Sequence, residues 1–125
     1  MLDKIEFDLL EFSHAEQAYF LDNSKFSGVA FETLEDGNRI FTTFYRGVKN
    51  GKYSEWNNFG QLLIESNYLG NMQHGLRYEW DRHGVKIKTI AYEYGIIVAK
   101  WEGEINERKL FYVIEESHDN FKLLL

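Results

Sequence analysis

A chain of 125 residues is one domain by length, and with no cysteine it holds no disulfide, thiolate metal site or thiol nucleophile. Its net charge of −6 is uneven: nine acids against two bases over residues 1–36, nine Lys/Arg against five acids over 37–101, and six acids against three bases over 102–125. The acidic balance argues against a nucleic-acid partner. No apolar run approaches the ~18 residues that span a bilayer, and the start MLDKIEFDLLEF is too acidic for a signal peptide, so the expected setting is the cytoplasm without a membrane partner.

The 10 Phe, 8 Tyr and 3 Trp favour pleated, half-buried surfaces, and with no proline the chain reversals fall to Gly, Asn and Asp. Ile5, Phe7 and Leu9 alternate with Glu6 and Asp8, which predicts a strand over residues 4–12. Tyr19–Phe26 predicts a hairpin turning at Asp22-Asn23. A repeat follows. Gly28 and Gly37, Gly51 and Gly60, and Gly75 and Gly84 each stand nine residues apart, and Tyr45, Tyr68 and Tyr92 come eight residues after the second glycine of each pair. Gly47 and Gly70 follow two residues after their tyrosines, and Gly95 three after its own. Recurrence every 23 or 24 residues marks a repeat architecture.

Each unit reads as two strands around a tight turn, at Asp36-Gly37, Phe59-Gly60 and His83-Gly84. Leu76, Tyr78 and Trp80 alternate with Arg77, Glu79 and Asp81, the period of a half-buried strand. Val48–Gly51 and Asn71–Gly75 are expected to reverse the chain into the next hairpin. In the second unit Tyr53 and Trp56 fall on opposite faces and Leu62, Leu63 and Ile64 run together, so both faces there are partly covered. Ile96–Trp101 predicts a strand in the place of a fourth unit, with Ala99 where its opening glycine would stand. Leu110, Val113 and Ile114 fit a short helix and Phe111–Ile114 fits a strand, while the apolar tail Phe121–Leu125 is expected to cover the sheet. The predicted fold is mainly all-β: an extended antiparallel β-meander of tandem hairpin repeats, with a short C-terminal helix as one alternative. It forms one domain, with repeats at about 28–50, 51–74 and 75–98 and caps at 1–27 and 99–125.

A G-x-S-x-G elbow, a P-loop, an H-E-x-x-H pair and a dinucleotide fingerprint are all absent. His14, His74, His83 and His118 are scattered. His74 and His83 flank one hairpin with Asp81 nearby, but two imidazoles do not complete a tetrahedral metal site. No catalytic residue, cofactor or metal is expected. The candidate partner-binding residues are Glu55, Trp56, Tyr78, Glu79, Trp80, Asp81, Glu102 and Glu104. Trp and Tyr are enriched among binding hot spots, and carboxylates steer a cationic partner. Stacking between hairpins is the first account of the same aromatics, and both readings hold if one face packs while the other binds.

The G-x8-G-x7-Y-x-G frame, Lys25–Phe31 before the first unit and Tyr94–Trp101 after the last resemble the MORN-type repeats, in particular the divergent bacterial class grouped with YwqK-like antitoxins. The resemblance covers residues 19–104 and implies an interaction module, here an immunity protein or antitoxin that neutralises a cognate toxin such as a basic nuclease. The alternative it implies is a membrane-surface or scaffolding adaptor, against which Arg39, Arg46, Lys49, Lys52, Arg77, Arg82, Lys86 and Lys88 are dispersed rather than clustered.

Overall fold

A computed structural model describes residues 4–103, so the expectations for Glu104 and for the C-terminal tail lie outside the described residues. The chain runs β1 (Ile5–Glu6), a 3-10 turn (Phe7–Leu9), β2 (Glu11–Ser13), β3 (Ala18–Leu21), β4 (Ser24–Lys25), β5 (Gly28–Thr33), β6 (Arg39–Tyr45), β7 (Val48–Trp56), β8 (Leu62–Leu69), β9 (Met72–Gln73), β10 (Gly75–Trp80), β11 (Lys86–Glu93) and β12 (Ile96–Glu102). From β5 onward the main sheet keeps sequence order, with the short β9 pairing β8 beside β10, while β2, β3 and β4 form a separate small sheet. The meander of hairpins is therefore the fold. One departure is β1, which runs parallel to β5 with Ile5 opposite Ala30.

The predicted strand over residues 4–12 is broken instead. The Leu10 N–H donates to the Phe7 carbonyl at 3.0 Å, and the turn sends Phe7 and Leu10 to one side where an extended strand would alternate them. Both join the main apolar cluster, in which Leu10, Phe26, Ala30 and Phe44 are buried and Ile5, Tyr19 and Leu21 pack around them. This cluster draws on both sheets and anchors the N-terminal end of the ribbon.

Two kinds of turn alternate along the repeat. At the far end Gly37, Gly60 and Gly84 donate their N–H to Leu34, Asn57 and Asp81 at 2.9, 3.1 and 3.1 Å. Each of these glycines has a φ of +82 to +89°, a region in which a side chain is strained. The first residue of the turn sets its support. Asn57 Oδ1 accepts the N–H groups of Phe59 and Gln61, and Asp81 Oδ1 those of His83 and Val85. Leu34 has no such acceptor, and Asp36 takes the Asn38 N–H in its place.

The near turns are two-residue hairpins at Asp22-Asn23, Arg46-Gly47, Gly70-Asn71 and Tyr94-Gly95, spaced 24 residues apart with positive φ at every position. The chain thus reverses at Arg46-Gly47 and Gly70-Asn71, not at the expected 48–51 and 71–75. The first of these hairpins lies inside the predicted N-terminal cap, so that cap is itself a partial copy of the repeat. The tyrosine frame also shifts. The residues opposite the opening glycines Gly28, Gly51 and Gly75 are Phe44, Tyr68 and Tyr92. Tyr45 lies one position off because a near turn accepts Gly or Asn in either of its two places, so a glycine alone does not set the register.

The opening glycines Gly51 and Gly75 sit in bulges. Phe44 pairs with Lys49 and Thr42 with Tyr53, leaving three residues against one. A φ of +103° at Gly51 and +89° at Gly75 lets the strand absorb the insertion. Where Ala99 replaces the glycine the insertion shrinks to the single residue Val98, because a side chain opposes positive φ.

Candidate interaction faces

Residues directly opposite one another on neighbouring strands point to the same face of a sheet. The register therefore assigns the faces. One row crosses the ribbon as Phe31, Phe41, Ser54, Glu65, Tyr78, Thr89 and Trp101. Thr33, Arg39 and Trp56, together with Trp80 and Lys86, lie beside it on the same side. The next row, on the opposite side, reads Glu32, Ile40, Glu55, Ile64, Glu79, Lys88 and Glu102.

The aromatic face is basic. The Lys86 ammonium stands 4.1 Å from the centroid of Tyr78 and 5.7 Å from that of Trp80, whose rings are 5.8 Å apart. Lys4 stands 4.7 Å from the Phe41 ring. The Trp56 indole N–H donates to Ser54 Oγ at 3.1 Å, which fixes the ring on the sheet. Lys52 pairs with Glu65 at 3.7 Å.

The acidic face carries one carboxylate per repeat on alternate strands, at intervals of about 10 Å from the ~4.8 Å strand spacing. At the C-terminal end these acids have partners: Glu79 accepts from Arg77 Nε at 3.0 Å, and Glu102 pairs with Lys100 at 3.4 Å. Among the described residues Glu32 and Glu55 make no ion pair. Between the acids and the near turns lie Tyr53 and Tyr68, with ring centroids 5.9 Å apart. Burial raises the Tyr53 phenol above its usual range, with Glu55 and Tyr68 adding to the shift and Arg77 opposing it. Burial likewise raises Tyr68, again against Arg77.

The eight residues singled out in the sequence do not form one site. Trp56, Tyr78 and Trp80 share the aromatic face, while Glu55, Glu79 and Glu102 share the acidic one. Asp81 belongs to its own turn, where the N–H groups of Val85 and His83 hold its carboxyl below the usual carboxylate range. His74 and His83 do not approach each other. They cap opposite ends of β10, about 20 Å of strand. Among the described residues no group of three His, Cys, Asp or Glu is placed to hold a metal ion.

Glu32, Arg39, Phe41 and Lys86 belong to these faces without having stood out in the sequence as candidates. The signal for Glu32 was present, since Glu32, Glu55, Glu79 and Glu102 recur at intervals of 23, 24 and 23 residues. Arg39 and Lys86 were visible as cations, but only the register shows that both lie beside the tryptophans. No family model and no curated protein sequence matches this chain.

Proposed function

We propose that this protein is a non-catalytic protein-binding module that neutralises a toxin by occlusion, as an immunity protein or antitoxin, and that it meets a cationic partner through its acidic face. The observation that carries the binding reading is the aligned row of Glu32, Glu55, Glu79 and Glu102, one from each of the three repeats and one from the strand that follows them, on a single side of the sheet. Glu32 and Glu55, which make no ion pair among the described residues, give the N-terminal half of the row its negative potential, which speeds encounter with a positive surface and orients it. The toxin half of the reading rests on the resemblance of the repeats to antitoxin modules. A nuclease with a cationic active site is the toxin class that suits such a face.

The test is to mix the purified protein with the product of the adjacent gene. A stable complex and relief of toxicity are expected, and the association rate should fall as salt rises. Failure to form a complex, with toxicity unrelieved, overturns the proposal.

A further inference from the structure

The aromatic face carries a groove of about 850 Å³ across β5, β6 and β7, running from the far turns back to Val29, Thr43 and Lys52. That is the size range of small-molecule sites. Three cations reach it, Lys4, Arg39 and Lys52, and no carboxylate is among its lining residues. Two aromatic rings, Phe41 and Trp56, form part of its wall. The site has a definite geometry. Arg39 and Trp56 are direct cross-strand partners, which sets their Cβ atoms about 5 Å apart on the same side of the sheet. The Trp56 N–H is already held by Ser54, so the indole presents its ring rather than its donor. Among the described residues Arg39 makes no ion pair, whereas Lys52 is shared with Glu65. One end of the groove is closed by contact between two far turns, since a Cβ on Gly37 would fall 2.9 Å from the Asn58 Cβ.

We infer that this groove binds a small organic anion carrying a flat ring, of the nucleoside monophosphate class. Arg39 takes the phosphate through paired N–H donors, and the two lysines supply the remaining countercharge. Trp56 stacks on the ring, a contact that every base can make. Three cations without a lining carboxylate suit a doubly charged phosphate better than a single carboxylate. The site lies on the opposite side of the sheet from the glutamate row, so it stands or falls independently of toxin binding.

The experiment titrates the full chain with AMP, adenosine and inorganic phosphate separately at low salt, following tryptophan fluorescence and binding heat. AMP is expected to bind saturably in the sub-millimolar range, with the nucleoside and the phosphate each about tenfold weaker or worse. Trp56→Phe should remove most of the quenching, identifying the ring that stacks. Arg39 is an exposed side chain, so Arg39→Glu should abolish binding while leaving the thermal midpoint in place. If that variant shifts the midpoint, a Lys4→Gln, Lys52→Gln double variant reads the same charge dependence, with a loss of about tenfold expected. Absence of a saturable signal up to about 5 mM AMP overturns the inference. AMP binding no tighter than phosphate, or binding that survives the charge variants, also overturns it.

Discussion

The imidazole Nδ1 of His74 accepts the backbone N–H of Tyr94 at 3.1 Å, and the same bond recurs in every repeat with different chemistry. Ser27 Oγ accepts from Arg46 at 2.8 Å, and Asn50 Oδ1 from Gly70 at 3.3 Å. Each acceptor stands one residue before an opening glycine or its bulge, and each donor is the first residue of a near turn. A backbone bond runs beside it: Gly47, Asn71 and Gly95 donate to Phe26, Lys49 and Gln73 at 2.8 to 2.9 Å. These paired bonds tie each near turn to the one before it. His74 is thus a stacking element of the ribbon. His74→Ala should cost about 1–2 kcal/mol, from the lost bond together with its 4.7 Å ring contact to Tyr94. His74→Asn, which copies the second repeat, should recover roughly half of that. Urea denaturation of both variants checks the idea, and equal losses would show that the acceptor does not matter.

The glycines of the turns are not equivalent. At Gly47 a Cβ would lie 2.7 Å from the Ala18 Cβ and 2.8 Å from the Tyr19 carbonyl oxygen, at φ +83°. At Gly84 the φ is +82° but nothing lies within 4 Å. Gly84→Ala should therefore show only the left-handed backbone strain of about 1–2 kcal/mol. Gly47→Ala adds a clash with the backbone of the small sheet and should cost about 2 kcal/mol more. Comparing the two unfolding midpoints separates strain from close approach, and similar losses would refute the packing of the small sheet against this turn.

The far turns and the strand alternation were legible in the sequence because each has a local cause. Asp36-Gly37 and its counterparts need one glycine at one place, and Leu76 to Asp81 alternate on a regular strand. The near turns were misplaced because type I′ geometry admits Gly70 in its first position and Gly47 in its second. Evenly spaced glycines therefore align Tyr45 with Tyr68 where Phe44 belongs. The break after Glu6 was hidden for a different reason. Ile5, Phe7 and Leu9 obey the strand period, and only burial of Leu10 against Phe26 and Phe44 selects the turn. The two faces escaped the sequence because cross-strand partnership changes parity at the single-residue bulges of Leu63, Ile87 and Val98, whereas the two-residue insertion at Gly51 leaves it unchanged.

Stability should fall in alkali through the tyrosines of the acidic face. Tyr53 and Tyr68 are both raised above the ordinary value of 10.0, principally by burial. The folded state therefore holds these protons at a pH where the unfolded chain has released them. Their contribution is complete below about pH 10 and is lost as the pH climbs through the raised values. Tyr53→Phe cannot ionise, so its stability should decline less steeply than that of the parent between about pH 9.5 and pH 11.5. Urea midpoints across that interval provide the measurement, and parallel curves would show that Tyr53 titrates alike in both states.

Glu55 and Trp56 are consecutive in the chain yet face opposite sides of the sheet, so a partner held on one side distinguishes them. With the acidic face as the docking surface, Glu55→Lys places a like charge against a cationic partner and breaks the row between Glu32 and Glu79. The association rate should drop about tenfold at low salt, and its salt dependence should flatten. Trp56→Ala, on the far side, should leave the affinity within about twofold once binding is normalised to the folded fraction. The dissociation rate adds a second discriminant, because loss of a steering charge acts on encounter whereas loss of an aromatic anchor acts on escape. A reversed pattern, with Trp56→Ala weakening binding by about thirtyfold or more and Glu55→Lys near neutral, would move the docking surface to the aromatic face.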